Sequence, residues 1–327
     1  MFEQTPTKTV TMIAVLAGLS VYTITGSYFG RELVVEVAIL AILAVSLDMV
    51  AGYGGMVSLC HGSIFGIGAY SFAVVNVLLG GTPALGLLAA IVLAGTFGFA
   101  VGAVTSRTRG IFFIMATLAF GQMVYVLIFD SETLGGDDGM WGLARLDLSA
   151  VGIDLNDGVQ FAIFSIFCVG LTYTLAAWIL RSAFGRTLSG IHENEDRMRA
   201  LGTSVWKFKA IAFGLSGALA GLSGALAAQQ TMFVSPDLIV WTVSGEVLIV
   251  VILGGLGTLV GPVVGAVVLV FLKHEISDYT NYWHIIIGLV LIVTVMAGGR
   301  GIYGGIEELL RARRVRATPA SGAGSDA

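Results

Sequence analysis

The chain has 327 residues, of which 56% are hydrophobic and only 12% are charged, and its mean hydropathy is +0.92. This composition excludes a soluble globular domain, in which about 25% of residues are usually charged, and indicates an integral membrane protein. The 17 Lys and Arg flank apolar segments, so nucleic acid is not an expected partner.

Apolar segments about 20 residues long, enough to span ~30 Å of hydrocarbon, recur along the chain. The first is too long for a signal-peptide core and is predicted to be retained. Two segments near the end, 246–255 and 262–272, are too short to span comfortably. We therefore predict an all-α polytopic membrane protein with short broken helices. Its ten predicted segments are 10–29, 33–49, 63–79, 84–106, 111–129, 159–180, 210–230, 246–255, 262–272 and 282–297.

Charge is segregated along the chain. Basic residues concentrate at Arg107 and Arg109, in residues 181–209 and in residues 300–316, which the positive-inside rule places in the cytoplasm. The loop 130–158 carries seven acids against one Arg and is predicted to be periplasmic. We therefore predict one transmembrane domain of residues 9–299 between two cytoplasmic termini, 1–8 and 300–327, the second ending in disorder.

A short helix is predicted inside the cytoplasmic loop 181–209. Asn194 is its N-cap, Glu195 fills the first turn, and Gly202 ends it in a left-handed conformation. A helix of about two turns is unstable alone in water and should dock on a partner. Met198 and Leu201 share one face and are the expected anchors. The alternative is a solvated connector whose charges only orient the chain.

Two glycine-rich segments resemble each other, Gly54-Gly55 and Gly254-Gly255, each followed by a spaced glycine pair. Glycine permits a helix to break, and paired breaks in a membrane protein point to a transport path. Close helix packing is the alternative. The candidate pathway residues, which are glycines of the breaks or polar groups in apolar sequence, are Gly54, Gly55, Ser58, His61, Ser63, Gln122, Glu246, Gly254, Gly255 and Thr258.

Three carboxyl groups lie within predicted helices, at Glu36, Asp48 and Glu246. Facing lipid at the bilayer centre would cost each about 2.5–3.5 kcal/mol, so they should face protein or water. A functional and a structural role both stay open for them.

Catalytic motifs are lacking. The stretch around Gly254 has no P-loop lysine, and His192-Glu193 is followed by Asp196 where a zinc-protease helix needs its second His. We therefore expect no enzyme activity, no bound metal and no cofactor on this chain.

Residues 185–226, 52–70 and 235–266 resemble the LivM-type permease subunit of branched-chain amino acid ABC importers, and the similarity extends over roughly residues 30–305. The resemblance implies a type II importer fold in a bacterial inner membrane. It also implies a second related permease, two ATPase subunits that use ATP and Mg²⁺, and a periplasmic binding protein. In that family the loop carries the element that contacts the ATPases. By resemblance, its residues here are Gly185, Asn194, Glu195, Met198, Ala200, Leu201 and Gly202.

Two alternatives accompany this interpretation. Related importers carry urea or short-chain amides, and the permease sequence separates these substrates poorly. An autonomous ion-coupled secondary transporter is the alternative from another class, favoured by Asp48 and Glu246. Such a protein would have no use for a coupling helix.

Overall fold

The computed structural model describes residues 6–148, 152–277, 283–296 and 301–305. The predicted N-terminal segment up to residue 5 and most of the basic tail lie outside the described residues. The helices of the described chain are α1 (Pro6–Thr25), α2 (Tyr28–Ala51), α3 (His61–Ala73, continued by a π-turn, Val74–Leu78), α4 (Pro83–Thr105), α5 (Ile111–Phe129), α6 (Gly158–Arg181), α7 (Ala183–Glu193), α8 (Glu195–Ala200), α9 (Val205–Thr231), α10 (Trp241–Gly254), α11 (Val260–Ser277) and α12 (Trp283–Met296). One antiparallel ribbon joins β1 (Met140–Trp141) to β2 (Phe233–Val234).

Ten of these helices coincide with the ten predicted membrane segments, which confirms the all-α polytopic fold. Eight are long and apolar enough to cross a membrane, whereas α10 and α12 have only 14 described residues each. The prediction of a short α11 is wrong, because this helix extends over 18 residues. The predicted end of the first helix is also wrong: α1 ends at Thr25, and Ser27 caps α2 by accepting the Gly30 N–H.

Helix α2 forms the centre of the molecule and is buried along almost its whole length. It packs against α6, α9, α10 and α11. Two serines of α9 donate to α2 carbonyls: Ser216 Oγ to Ser46 O at 2.6 Å, and Ser223 Oγ to Ile39 O at 2.7 Å. Such bonds satisfy hydroxyl groups that hydrocarbon would leave unpaired.

Small residues bring α4 and α9 together. A Cβ atom at Gly217 would lie 2.7 Å from Ala94 O, and one at Gly221 would overlap Ala90 O. The spacing of these glycines, four residues apart, gives the small-residue stripe by which membrane helices approach closely.

Each end of the bundle gathers segments that were predicted on the same side of the membrane. At one end, here called the loop end, Arg109 contacts Glu195 of α8. At the opposite end, here called the ribbon end, Met140 pairs with Val234. The outer helices α1, α4, α5 and α6 expose large apolar side chains along the bundle, as contact with lipid requires.

Candidate functional site

The predicted loop helix is present as α8. The Asn194 Oδ1 accepts the Arg197 N–H at 2.9 Å, and the helix ends at Ala200, two residues before Gly202. Gly202 has φ +84°, the left-handed conformation that a non-glycine residue rarely adopts. The cap and the stop signal predicted from the sequence are thus confirmed.

A second loop helix, α7, was missed by sequence reasoning. It buries Gly185, Leu188 and Ile191, three residues apart, on one face. The spacing of these apolar residues could have indicated the helix, but the charged residues around them obscured the pattern. Gly185 allows α7 to turn directly off α6, because a Cβ atom there would overlap Leu180.

An ion-pair cluster fixes α8 to the membrane helices. The Glu195 carboxylate lies 2.9 Å from Arg109 Nε, 3.0 Å from Lys209 Nζ and 2.6 Å from an Arg199 guanidinium nitrogen. Arg109 also binds Asp196 at 2.9 Å. The Glu195 and Lys209 side chains are only 10% and 7% exposed. These five residues form the α8 ion-pair cluster, in which Arg109 lies just before α5 and Lys209 lies near the start of α9.

The charges of this cluster favour its ionised form. Partial burial raises the pKa of the Glu195 carboxyl, but Lys209, which donates to it, and then Arg109 and Arg199 together lower that pKa below its ordinary value. The hydrogen bond from Arg109 lowers the pKa of Asp196 as well. Arg109 and Lys209 were noted in the sequence only as markers of membrane side, because nothing in it shows which carboxylate they meet.

The two predicted anchors of α8 have different surroundings. Met198 is half-buried, and its sulfur lies against Gly190 of α7, where a Cβ atom would be 3.1 Å from it. Leu201 is 73% exposed, and Ala200 beside it is exposed too. Of these two anchors, Leu201 therefore offers the larger apolar surface to a partner.

The first glycine break, at Gly54 and Gly55, contacts the loop 181–209. Gly55 has φ +66°, and the place that its Cβ atom would take is filled by the His192 ring of α7. A Cβ atom at Gly54 would lie 3.5 Å from Leu188. The break and the loop therefore form one contact surface, which their separation in the sequence does not show.

A cavity of about 310 Å³ opens between these elements at the loop end. Gly54 and Gly55 line it together with Glu195, Arg109 and Lys209. The structure thus brings one candidate pathway segment and one candidate coupling residue to the same cavity.

Of the polar candidates beyond the first break, His61 and Ser63 join α3 to distant parts of the chain, and Ser58 bonds within its own segment. His61 Nε2 lies 2.8 Å from Ser216 Oγ on α9, and Ser63 Oγ donates to Ile239 O at 3.2 Å. Ser58 Oγ accepts the Cys60 N–H at 3.2 Å. All three side chains are buried, which matches the packing alternative for them.

The second break, by contrast, is held by Asp48. Its carboxylate accepts the Gly257 N–H at 2.6 Å and the Leu259 N–H at 3.0 Å. Asp48 is completely buried, and both of these hydrogen bonds join α2 to the second break.

The remaining residues of this break fold tightly on themselves. Thr258 Oγ1 donates to Gly255 O at 2.7 Å and accepts the Gly261 N–H at 2.9 Å. Gly254 is pressed against the Gly261 backbone, where no side chain fits.

Three other candidates lie apart from both breaks. Glu246 and Glu36 share Lys273, whose Nζ is 3.5 Å from one carboxylate and 3.6 Å from the other. Gln122 is exposed on α5 inside the apolar span and makes no side-chain hydrogen bond to the described residues. Among the described residues, Gln122 therefore does not bond α5 to another helix.

The membrane helices, the two glycine breaks and the clamped loop helix together define a polytopic α-helical transport permease. Residues 31–295 match the family described as "Branched-chain amino acid transport system / permease component", and the chain belongs to that family. Its members are transport subunits, and this chain is a multi-pass membrane protein.

Named relatives agree with this family. The chain is 30% identical over 287 residues to the high-affinity branched-chain amino acid transport system permease protein LivM of Salmonella typhimurium, and 29% identical to LivM of Escherichia coli. Each alignment covers 80% of this chain and 67% of the relative. It is 25% identical to Escherichia coli LivH over 81% of this chain and 91% of the relative. No solved structure matches the chain significantly.

Proposed function

We propose that this chain is the membrane-spanning permease subunit of an ATP-driven importer that carries branched-chain amino acids across a bacterial inner membrane. The family and the names of its relatives support the substrate class. The partners would be a second related permease, two ATPase subunits that bind ATP and Mg²⁺, and a periplasmic binding protein. Both termini would lie in the cytoplasm, and this chain would do no covalent chemistry.

The observation that carries the proposal is that ion pairs hold α8 against the membrane helices. Its six residues are too few for a helix that is stable alone, so the α8 ion-pair cluster has to hold it. Leu201 points away from this support and offers an anchor to an ATPase subunit.

Movement of α8 would reach the membrane by three contacts. Arg109 leads into α5, Lys209 leads into α9, and the adjoining α7 places His192 on Gly55 of the first break. From α5 the connection continues, because Thr117 Oγ1 accepts the Leu59 N–H at 3.2 Å. The routes through α5 and α7 meet in the segment between the first break and α3, and the route through α9 reaches the first residue of α3, since Ser216 Oγ lies 2.8 Å from His61 Nε2.

The proposal is tested with a tagged complex purified from its native host and reconstituted in proteoliposomes. We expect ATPase and permease chains to co-purify, and labelled leucine to enter only with ATP and a soluble binding protein. Competition with urea and short amides measures the substrate class. Uptake driven by a proton or Na⁺ gradient without ATP would contradict the proposal and support a secondary transporter, for which the Glu36, Lys273 and Glu246 cluster is the favouring feature.

The coupling role of α8 is tested with Leu201→Ala, and Leu79→Ala serves as control. Leu79 is similarly exposed, but it lies between α3 and α4 at the ribbon end. Loss of one anchor costs about 2 kcal/mol on the scale of interface hot spots, so ATPase docking should weaken about 30-fold. Met198→Ala should have a smaller effect on docking, and the double variant should abolish substrate-stimulated ATP hydrolysis. Full ATP-dependent uptake by the double variant would show that α8 is not the coupling element.

A further inference from the structure

A second cavity opens at the loop end, between the last turn of α4 and the start of α9. Its volume is about 680 Å³, and it shares no lining residue with the cavity beside the first glycine break. Arg107 and Arg199 line it, and among the described residues no carboxylate does. We call it the basic cavity.

The positive charge of the basic cavity is only partly neutralised. Arg107 is exposed and forms no ion pair with a carboxylate of the described residues. Arg199 binds Glu195 through one guanidinium nitrogen at 2.6 Å, yet its side chain stays 53% exposed. Lys207 adds a third cation at the edge, since its Nζ lies 5.7 Å from the centre of the Trp206 ring, and Trp206 lines the cavity. The cavity therefore attracts an anion.

Hydroxyl groups add neutral donors to these cations. Thr203 and Ser204 line the cavity, and neither hydroxyl makes a hydrogen bond to the described residues. Ser204 precedes α9, but its side chain does not cap the helix. Guanidinium groups donate to phosphate oxygens in pairs, and hydroxyl groups add single bonds, so this set of donors suits a phosphate group. A carboxylate has only two oxygens and would use fewer of the donors.

The basic cavity lies where the lipid-facing surface of the bundle meets the loop end. Ala103 lines it, and the next residue of α4, Val104, is 63% exposed; on α9, Ile211 is 41% exposed. Trp206 itself is 50% exposed, and tryptophan is enriched at the level of lipid head groups. A ligand at this boundary meets apolar surface on one side and cations on the other, which matches an anionic phospholipid.

Two other occupants match the basic cavity less well. A free phosphate would use the cations but not the Trp206 ring, and it would fill little of a volume that lies within the ~300–1,000 Å³ of larger ligand sites. A protein subunit would have to place an acidic group beside α4, an outer helix that exposes large apolar side chains as contact with lipid requires. Basic pockets between membrane helices, by contrast, are typical sites of anionic lipid head groups.

We infer that the basic cavity binds the phosphate group of an anionic phospholipid in the leaflet at the loop end. Arg107 and Arg199 hold the phosphate, the hydroxyl groups of Thr203 and Ser204 donate to its oxygens, and Trp206 packs against the glycerol and the first acyl carbons. This inference goes beyond the proposed function and does not depend on it, because lipid binding requires neither ATP nor a transported substrate.

The experiment titrates the purified, delipidated complex in detergent with phosphatidylglycerol and counts bound lipid by native mass spectrometry. Arg107 is the residue to change, since Arg199 also belongs to the α8 ion-pair cluster. We expect Arg107→Gln to weaken the tightest binding about fivefold, the effect of one cation near a membrane surface. Phosphatidylcholine, whose head group has no net charge, should bind weakly and equally to the wild type and the variant.

Arg181→Gln is the matched control and should bind phosphatidylglycerol like the wild type. Arg181 is an exposed arginine at the loop end too, but it ends α6 and does not line the basic cavity. An unchanged melting temperature of both lipid-free variants excludes misfolding.

Three results would overturn the inference. Equal affinity of the wild type and Arg107→Gln for phosphatidylglycerol would remove the phosphate site. Displacement of the lipid by an equal concentration of glycerol 3-phosphate would show that the cavity takes a free phosphate. Loss of an associated subunit from Arg107→Gln, with lipid binding unchanged, would show that the cavity is a protein interface. None of these measurements uses ATP or labelled leucine, so the proposed function stands or fails separately.

Discussion

The two glycine breaks are nearly alike in sequence but have different neighbours. The first, at Gly54 and Gly55, contacts α7 and borders the cavity at the loop end. The second, at Gly254 and Gly255, is tied to the buried core by a carboxylate of α2. One break is therefore attached to the element that we propose to move, and the other to the central helix of the bundle.

Asp48 makes this difference. It lies six residues before Gly54, yet its side chain reaches the second break and not the first. It accepts the N–H of Leu259, which has φ +61°, a conformation that costs a bulky residue about 1–3 kcal/mol. The carboxylate thus stabilises a strained turn that the glycines alone would leave mobile.

Removal of this carboxylate should have the largest effect on the protein. Asp48→Ala leaves the buried Leu259 N–H and the partly buried Gly257 N–H without their partner, and hydrogen bonds to a charged group contribute about 1.5–3 kcal/mol each. We expect a loss of at least about 3 kcal/mol and little folded permease, measured by size-exclusion chromatography and thermal unfolding in detergent. Ser46→Ala is the control, since its buried hydroxyl donates only within α2. Equal stability of the two variants would show that Asp48 does not hold the second break.

The next largest effect is expected from a large side chain at the second break. A Cβ atom at Gly254 would overlap the Gly261 carbonyl, and backbone cannot rotate away as a side chain can. We therefore expect Gly254→Leu to prevent assembly, whereas Gly245→Leu, earlier in the same helix where nothing lies within 4 Å, should assemble normally. Blue-native electrophoresis of the complex measures this. Normal assembly with loss of uptake in Gly254→Leu would instead support a pathway role for this break.

The sequence predicted the membrane helices well because apolar length and charge segregation act locally. It also predicted the cap and stop of α8, which depend on Asn194 and Gly202 alone. The Glu195–Arg199 pair, four residues apart on one helix, could have been read from the sequence. The contacts of Glu195 with Arg109 and of Asp48 with the second break could not be predicted, because they join residues that lie far apart in the chain. The same limit made the two breaks look equivalent: their difference lies in His192 and Asp48, which belong to neither motif.

Neutralising Glu195 should uncouple the loop without unfolding the membrane domain. Glu195→Gln removes the charge that Arg109 and Lys209 share, so ATP hydrolysis should continue while uptake per ATP falls several-fold. Asp154→Asn, in the opposite loop, is the control. Unchanged uptake per ATP in Glu195→Gln would show that the α8 ion-pair cluster does not transmit movement.

The pH dependence of the same cluster follows from its pKa. The folded-state pKa of Glu195 lies below its ordinary value of 4.5, so its contribution to stability is complete above that pH. The contribution is lost as the pH falls through the folded-state pKa. Uptake per ATP should therefore be constant between about pH 6 and 8, and Glu195→Gln should resemble the wild type only in acid. A wild-type transition near pH 7 that Glu195→Gln abolishes would contradict this assignment.

The smallest effect is expected at the first break, where the obstacle is a side chain. Gly55→Ala and Gly80→Ala both place a Cβ atom at positive φ, +66° and +58°, and each should cost about 1 kcal/mol in strain. Only Gly55→Ala also displaces a ring, that of His192, while nothing lies within 4 Å at Gly80, between α3 and α4 at the ribbon end. We expect both variants to assemble and Gly55→Ala alone to lower uptake per ATP, by a few-fold. Because His192 is exposed and its removal frees the space, Gly55→Ala/His192→Ala should return to the level of Gly80→Ala, measured in the same proteoliposomes. If the double variant stays as low as Gly55→Ala, the strain of the break itself limits transport and its contact with α7 does not.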